Sequence, residues 1–304
     1  MVHDVLERLL REHSPQALHE MGPKKRAEEI EALLLSYLEE KMGGAQEKPK
    51  RFSYQFARLS VVLEEVVGRL CAEFLHSSFE PIDFELRIDK DGLVAPYSLP
   101  LPDGGTLQIK GSIDRVDRME RDGKAYLRVV DYKSGGKEFL LSDVLNGLNM
   151  QMLIYLMCLW QNGAQRYGEV VPAGILYMPV KSTPATLGRN ATQAEIDKAR
   201  AKACRMSGMV LDHSLVIDGM EEDGKGIFIP VRREKDGGFL LHLTLHQPTQ
   251  QPLDTLYTLR LDPGRQTVVT LIFIREAFGY KEPLFPQEML DRFMQQKLDA
   301  HRTK

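Results

Sequence analysis

The chain has 304 residues, enough for one large or two smaller domains, and its 43% hydrophobic and 27% charged residues are typical of an ordinary globular protein. Its formal net charge of −3 excludes attraction of nucleic acid through the overall electric field. Any contact with a polyanion therefore has to come from local basic patches.

The sequence also indicates a cellular compartment. No apolar run is long enough to cross a membrane, and the first residues do not form a signal peptide. The three cysteines are widely scattered, without the spacing of a zinc site, and this small odd number is typical of reduced thiols. They are Cys71, Cys158 and Cys204. We therefore predict a cytoplasmic protein with no membrane partner.

Three helices are predicted in the first part of the chain, over residues 2–12, 24–41 and about 53–75. The first has an apolar stripe formed by Val5, Leu6, Leu9 and Leu10. His3 lies in its first turn. Taken alone, a histidine in this position is more often a surface or capping residue than a functional one.

A strand is predicted from Phe79 to Ile88, where the character of the sequence changes. This strand carries Glu85, which without further context is reasonably interpreted as an exposed carboxylate. A proline-rich segment with an Asp103-Gly104-Gly105 turn then leads into the central part of the chain.

Residues 111–133 predict a β-hairpin, because two β-branched and aromatic runs flank Asp122-Gly123, the strongest short turn signal available. A turn centred on that pair sets Asp114 opposite Asp131. The same register sets Asp117 opposite Arg128, on the other face of the hairpin, where a cross-strand ion pair is the plainer interpretation. A slip of one residue would break the whole arrangement.

This register predicts a cation site. Asp131 and Lys133 are two residues apart and share a face with Asp114. Two carboxylates this close raise each other's pKa unless a positive charge lies between them. A hard divalent cation such as Mg²⁺, with oxygen ligands, meets that need. Lys133 would then position or activate a metal-bound water, or offset charge on a phosphate.

A long helix is predicted from about Leu141 to Gln161, followed by an apolar strand over 169–179. Gln151 and Tyr155 are four residues apart and share a face of this helix, which alone indicates only a boundary polar pair. Helices, three strands, a helix and a strand, in this order, predict a mixed α/β core. Further strands are predicted near 226–231 and 239–245, and an amphipathic helix from Pro286.

Three motifs together resemble a known family. Gly111-Ser-Ile-Asp114-Arg-Val-Asp117, Asp131-Tyr-Lys133-Ser-Gly and Gln151 with Tyr155 follow the order and spacing of the PD-(D/E)XK nucleases of the RecB type. The pattern is most similar to the C-terminal nuclease domain of AddB-type subunits of bacterial helicase-nucleases. His3-Asp-Val-Leu-Glu7 and the strand with Phe79, Pro81 and Glu85 extend the resemblance, which covers about residues 2–240.

The resemblance implies a restriction-endonuclease-like core, a mixed central β-sheet flanked by helices, with extra N-terminal helices and C-terminal additions. We predict that the nuclease domain spans residues 1–245. Residues 246–304 are predicted to form a C-terminal extension, which can pack on the same domain.

The resemblance also implies a function, namely metal-dependent hydrolysis of DNA as the exonuclease module of a helicase-nuclease in double-strand-break repair. Mg²⁺ is the expected cofactor, with Mn²⁺ as a substitute, and the expected partners are a single strand of DNA and a helicase subunit of the AddA type. The implied metal ligands are His3, Asp114, Asp131 and the backbone carbonyl of Tyr132. Asp114, Asp131 and Lys133 would be catalytic, with Lys133 acting on the attacking water. Gln151 and Tyr155 would contact the DNA strand, and Glu85 is an additional acidic candidate.

One departure from the family pattern leaves alternatives open. AddB-type nucleases generally hold an iron-sulfur cluster through one cysteine ahead of the His motif and three near the C-terminus. This chain begins within the His motif and has no cysteine beyond Cys204. We therefore expect no iron-sulfur cluster, and expect the chain to be an excised or truncated domain. The alternatives are an inert DNA-tracking module that keeps the nuclease fold, a stand-alone RecB-like exonuclease, and a metal-dependent hydrolase of small phosphate esters.

Overall fold

The computed structural model describes residues 1–44, 49–100, 106–134, 139 and 149–180. It also describes 191–233 apart from 194, 197, 198, 200, 202, 203, 212, 223 and 230, and the strands at 239–244 and 256–261. The predicted helix from Pro286, most of the predicted extension over 246–304 and the first part of the helix predicted over 141–161 lie outside the described residues.

The helices are α1 Val2–Glu12, α2 Pro15–Met42, α3 Lys50–Leu75, α4 Gln151–Asn162, α5 Ala164–Tyr167 and α6 Ser214–Met220. The strands are β1 Glu80–Ile88, β2 Tyr97–Pro100, β3 Thr106–Ile109, β4 Gly111–Arg121, β5 Lys124–Lys133, β6 Glu169–Pro179, β7 Ser207–Val210, β8 Val231–Arg233, β9 Phe239–Thr244 and β10 Leu256–Leu261. Within the described part of the chain, no helix combines the length and apolarity needed to cross a membrane.

The three N-terminal helices form where the apolar periodicity predicted them. The apolar stripe of α1 is buried, as predicted. The second helix begins earlier than predicted, because Ser14 caps it by accepting a hydrogen bond from Ala17 N–H at 3.2 Å, and Pro15 follows in the first turn. This helix bends at Gly22, whose φ of 78° lies in the left-handed region just before Pro23.

The core is a five-stranded sheet in the order β1-β4-β5-β6-β7. Neighbouring strands are antiparallel except β5 and β6, which are parallel and are connected by a segment that contains α4. The helix α4 buries Met152, Leu156 and Leu159 in the same core. The mixed α/β architecture with helices flanking a central sheet is therefore confirmed. Strand β8 starts only at Val231, so the strand predicted near 226–231 lies too early in the chain.

The central hairpin has the predicted register. Asp122 and Gly123 have φ values of 51° and 73°, the left-handed conformations that a tight hairpin turn requires. Asp117 is paired with Arg128, as the turn position predicted. The three strands that carry Glu85, Asp114 and Asp131 are neighbours in the sheet, also as predicted.

A buried charge network fixes this register. Arg115, Asp117 and Arg128 are fully buried, and Glu73 from α3 is almost so. Asp117 Oδ2 accepts hydrogen bonds from Arg128 Nε at 2.8 Å and from Arg115 Nη2 at 3.1 Å. Arg128 also donates to Glu73. Two cations thus face two anions, which compensates the cost of removing four charges from water.

We expect Asp117→Ala to lower the free energy of unfolding by about 3–5 kcal/mol, because it leaves a buried guanidinium uncompensated. Urea titration followed by circular dichroism measures this loss. Glu169→Ala is the matched control, since it breaks an exposed pair with Lys124 and should cause no measurable change. Equal losses in the two variants would contradict a structural role for the buried network.

Candidate metal centre

Three side chains from distant parts of the chain converge at one end of the central hairpin. His3 Nδ1 lies 3.5 Å from Glu85 Oε1 and 3.6 Å from Asp114 Oδ1. One ligand atom from each residue lies within 4.8 Å of the other two. Two carboxylate oxygens and an imidazole nitrogen at this spacing form a group that a single cation can bridge.

Each member of this group is held by a different element. The helix α1 presents His3 from its first turn, with Val5 and Leu6 anchored in the core. Strand β4 carries Asp114, whose Oδ2 accepts a hydrogen bond from the backbone N–H of Tyr132 at 2.9 Å. The His3 and Tyr132 rings are tilted against each other, with centroids 5.7 Å apart. The position of Asp114 therefore depends directly on β5.

Glu85 has an unusual backbone conformation. Its φ is 47°, in the left-handed region that a glutamate seldom adopts, although Phe84 and Leu86 on either side pair normally with β4. Ser112 Oγ donates a hydrogen bond to Glu85 Oε2 at 3.3 Å. Strained residues are concentrated at functional sites, so this conformation supports a functional role for the Glu85 carboxylate.

The electrostatics of the group favour a bound cation. Burial raises the pKa of Asp114 to about 6, and the nearby charges of Asp131 and Glu85 raise it further, while the Tyr132 N–H and His3 oppose the shift. Asp131 Oδ2 is also buried and has no hydrogen-bond partner among the described residues. The donor set of carboxylate oxygens and one imidazole therefore fits a divalent cation.

Asp131 and Lys133 lie beside this group of three. Lys133 Nζ is 2.6 Å from Asp131 Oδ2, although the angles of this contact do not fit a hydrogen bond. The ammonium also lies 5.2 Å from the centre of the Tyr177 ring. A cavity of about 100 Å³ adjoins the pair. Its lining is Asp131, Lys133, Phe139, Asn149, Gln151, Met152 and Tyr177.

Gln151 and Tyr155 are joined to each other, because Gln151 Nε2 donates to Tyr155 Oη at 2.8 Å. The Tyr155 phenol packs against β4 at Gly111. A Cβ atom at Gly111 would lie 2.1 Å from Tyr155 Oη and 2.6 Å from Cζ. The absence of a side chain at this position is what allows α4 to approach the hairpin here.

The structure brings most of the predicted site residues together. His3, Glu85 and Asp114 form the tightest group, whereas Asp131 lies outside it beside Lys133. The ligand roles of Asp131 and of the Tyr132 carbonyl remain predictions, as do the catalytic and DNA-binding roles. Sequence reasoning missed Ser112 and Tyr177. Ser112 lies inside the motif that starts at Gly111, so its position was a signal. Tyr177 lies opposite Asp131 through the β5–β6 pairing, which no local pattern reveals.

Comparison with known proteins defines the class. A family model described as the PD-(D/E)XK nuclease superfamily matches residues 1–223, and the chain belongs to that superfamily. The fold and the arrangement of the carboxylates and the lysine on the hairpin agree with this membership.

Similar proteins of narrower description are all named as a subunit of an ATP-dependent helicase/deoxyribonuclease. The protein of Acetivibrio thermocellus is 35% identical over 214 residues, which is 69% of this chain and 19% of the relative. That of Clostridium acetobutylicum is 34% identical over 213 residues, 69% of this chain and 18% of the relative. That of Clostridium botulinum strain Hall is 33% identical over 242 residues, 78% of this chain and 21% of the relative. The chain thus spans about a fifth of the length of these relatives.

We expect Gly111→Ala to destabilise the fold by about 1–3 kcal/mol, because the new methyl group overlaps the Tyr155 phenol. Thermal and urea unfolding of four proteins test the contact: wild type, Gly111→Ala, Tyr155→Ala and the double variant. The cost of Gly111→Ala should largely disappear in the Tyr155→Ala background. Strictly additive costs would show that the two residues do not interact.

Proposed function

We propose that this chain hydrolyses phosphodiester bonds in DNA with the help of a divalent metal ion, Mg²⁺ in the cell. The observation that carries the proposal is the convergence of His3, Glu85 and Asp114 beside the Lys133–Asp131 pair. Membership of a nuclease superfamily supports it. Without that geometry, family membership would fit an inactive nuclease fold equally well.

His3, Glu85 and Asp114 would hold the metal ion, with Asp131 as a further carboxylate ligand on its unpartnered oxygen. When bound, such an ion lowers the pKa of a coordinated water and stabilises the charge that develops on a phosphate. The carboxylates provide the negative charge that attracts it. The Tyr132 N–H keeps the Asp114 carboxylate oriented toward the group.

Lys133 would act on the reacting groups themselves. Its ammonium lies between Asp131 and the Tyr177 ring, at the wall of the cavity. From there it can donate a hydrogen bond to the attacking water or to a non-bridging phosphate oxygen. The water oxygen forms a bond to phosphorus, the bond from phosphorus to the leaving oxygen breaks, and a proton passes to that oxygen from solvent.

The Gln151–Tyr155 pair would bind the DNA strand that enters the site. The amide and the phenol are linked by a hydrogen bond, and Gln151 also lines the cavity that contains Asp131 and Lys133. This arrangement can guide a strand past the reactive groups. Exonucleolytic cleavage of a single strand delivered by a helicase subunit of the AddA type, during double-strand-break repair, is the form of the activity that the names of the relatives favour.

We expect purified wild-type chain to degrade labelled single-stranded DNA when Mg²⁺ or Mn²⁺ is present. Asp114→Ala, Asp131→Ala and Lys133→Ala should each lower the rate at least about 100-fold, because each removes a group that stabilises the transition state. Asp122→Asn is the matched control, since it changes a carboxylate at the turn end of the same hairpin. It should cleave like wild type.

The same assay separates the alternatives. Wild-type cleavage without a helicase partner supports a stand-alone exonuclease. No cleavage by wild type, even with a helicase partner, supports an inert module. Equal cleavage by all variants would contradict the assignment of the site.

We expect Tyr177 to hold the Lys133 ammonium in place through its ring. Tyr177→Leu should therefore lower the cleavage rate by about threefold to thirtyfold, the size of a cation–π contact. Tyr177→Phe keeps the ring and should retain most of the activity. Steady-state rates at saturating DNA provide the measurement, with the melting temperatures of both variants as the stability control. A large loss in Tyr177→Phe would show that the hydroxyl matters instead.

A further inference from the structure

An exposed arginine lies next to the candidate metal centre on the same side of the sheet. Arg87 on β1 is paired directly with Ser112 on β4, and directly paired residues share a face. The hydroxyl of Ser112 donates to Glu85 Oε2. Arg87 therefore projects on the side where the Glu85 carboxylate lies. Two residues along a strand correspond to about 6.6 Å, which separates Arg87 from Glu85.

The guanidinium of Arg87 is well placed to take a ligand. Its side chain is 77% exposed, and Nη2 lies 3.7 Å from Asp89 Oδ2, beyond hydrogen-bond distance. Asp89 is instead held by Lys110 Nζ at 2.7 Å and by the backbone N–H of Lys90 at 2.6 Å. These contacts, with Lys110 as the main cause, hold the pKa of Asp89 below its usual value.

The local charge around Arg87 is positive although the chain as a whole is negative. Arg87 and Lys110 share the single carboxylate of Asp89. Lys90 and Asp91, which follow in the same turn, offset each other in formal charge. A net positive charge therefore remains beside a group of carboxylates that is itself suited to a cation. An anion that spans the two places would be held at both ends.

We propose that Arg87 binds a DNA phosphate adjacent to the one that reacts at the metal centre. This assignment rests on the proposed function, because the metal centre sets the position of the reacting phosphate. Neighbouring phosphates of an extended single strand are separated by a distance comparable to that between Glu85 and Arg87. The planar guanidinium can donate two parallel hydrogen bonds to one phosphate, which a lysine cannot do.

The test is the salt dependence of DNA binding without cleavage. A fluorescein-labelled single-stranded oligonucleotide is titrated with protein in EDTA at several NaCl concentrations, and anisotropy gives the dissociation constant. Arg87→Ala should weaken binding roughly threefold to tenfold at low salt, as expected for one charged hydrogen-bonded contact. The slope of log K against log[NaCl] should become less steep by about 0.7, because one phosphate fewer is neutralised.

Two further variants control the experiment. Arg87→Lys keeps the charge, so the salt slope should match wild type while the affinity falls partway. Arg118→Ala removes an arginine from the other end of β4, near Glu120, and should change neither quantity. Folding of each variant is checked by its melting temperature.

An unchanged slope in Arg87→Ala, or a slope that changes equally in Arg118→Ala, would overturn the assignment. Absence of DNA binding by wild type would overturn it as well. The proposed hydrolysis is judged separately by cleavage in Mg²⁺. A chain that binds DNA with the predicted Arg87 dependence but never cuts it would retain this assignment and lose the hydrolase.

Discussion

The pairing of β4 with β5, fixed by a buried ion pair between Asp117 and Arg128, is the constraint on which the site depends. Both side chains are fully buried, so any other register would leave two charges unpaired in the core. Because side chains alternate along a strand, a slip of one residue would also turn Asp114 away from its partners. The cost of a slip is therefore paid twice, once in the core and once at the metal centre.

The network reaches the metal centre through Tyr132. Arg115 donates to the Tyr132 hydroxyl at 3.2 Å, and its guanidinium lies 5.6 Å from the centre of the same ring. The backbone N–H of Tyr132 then holds Asp114, and its ring contacts His3. The site itself opposes folding, since Glu85 is strained and burial raises the pKa of Asp114. The buried network supplies the rigidity that keeps such a group assembled.

The sequence alone predicted the parts of the site that depend on local rules. Asp122-Gly123 located the turn, and the turn determined that Asp117 faces Arg128. Alternation along the strand then separated the roles of Asp114 and Asp117, which the motif alone does not distinguish. The position of His3 beside Asp114 came only from the family resemblance, because the two residues are more than 100 positions apart and no local rule links them.

The remaining features depend on contacts between elements. Tyr177 meets Lys133 because β6 runs parallel to β5 after a crossover, and its register cannot be read from either strand. The contact of Tyr155 with Gly111 requires the approach of α4 to β4. The participation of Glu73 requires α3 to pack on the opposite face. The left-handed φ of Glu85 is a further surprise, because glutamate has no propensity for it.

The central claim is that the β4–β5 register assembles a cation site from His3, Glu85 and Asp114. Anomalous diffraction from crystals grown or soaked with Mn²⁺ tests it most directly. The account predicts one strong anomalous peak within coordination distance of His3 Nδ1 and the carboxylates of Glu85 and Asp114. The peak should be lost in Asp114→Asn crystals that keep the same backbone. A peak elsewhere, or one that survives in Asp114→Asn, would contradict the account.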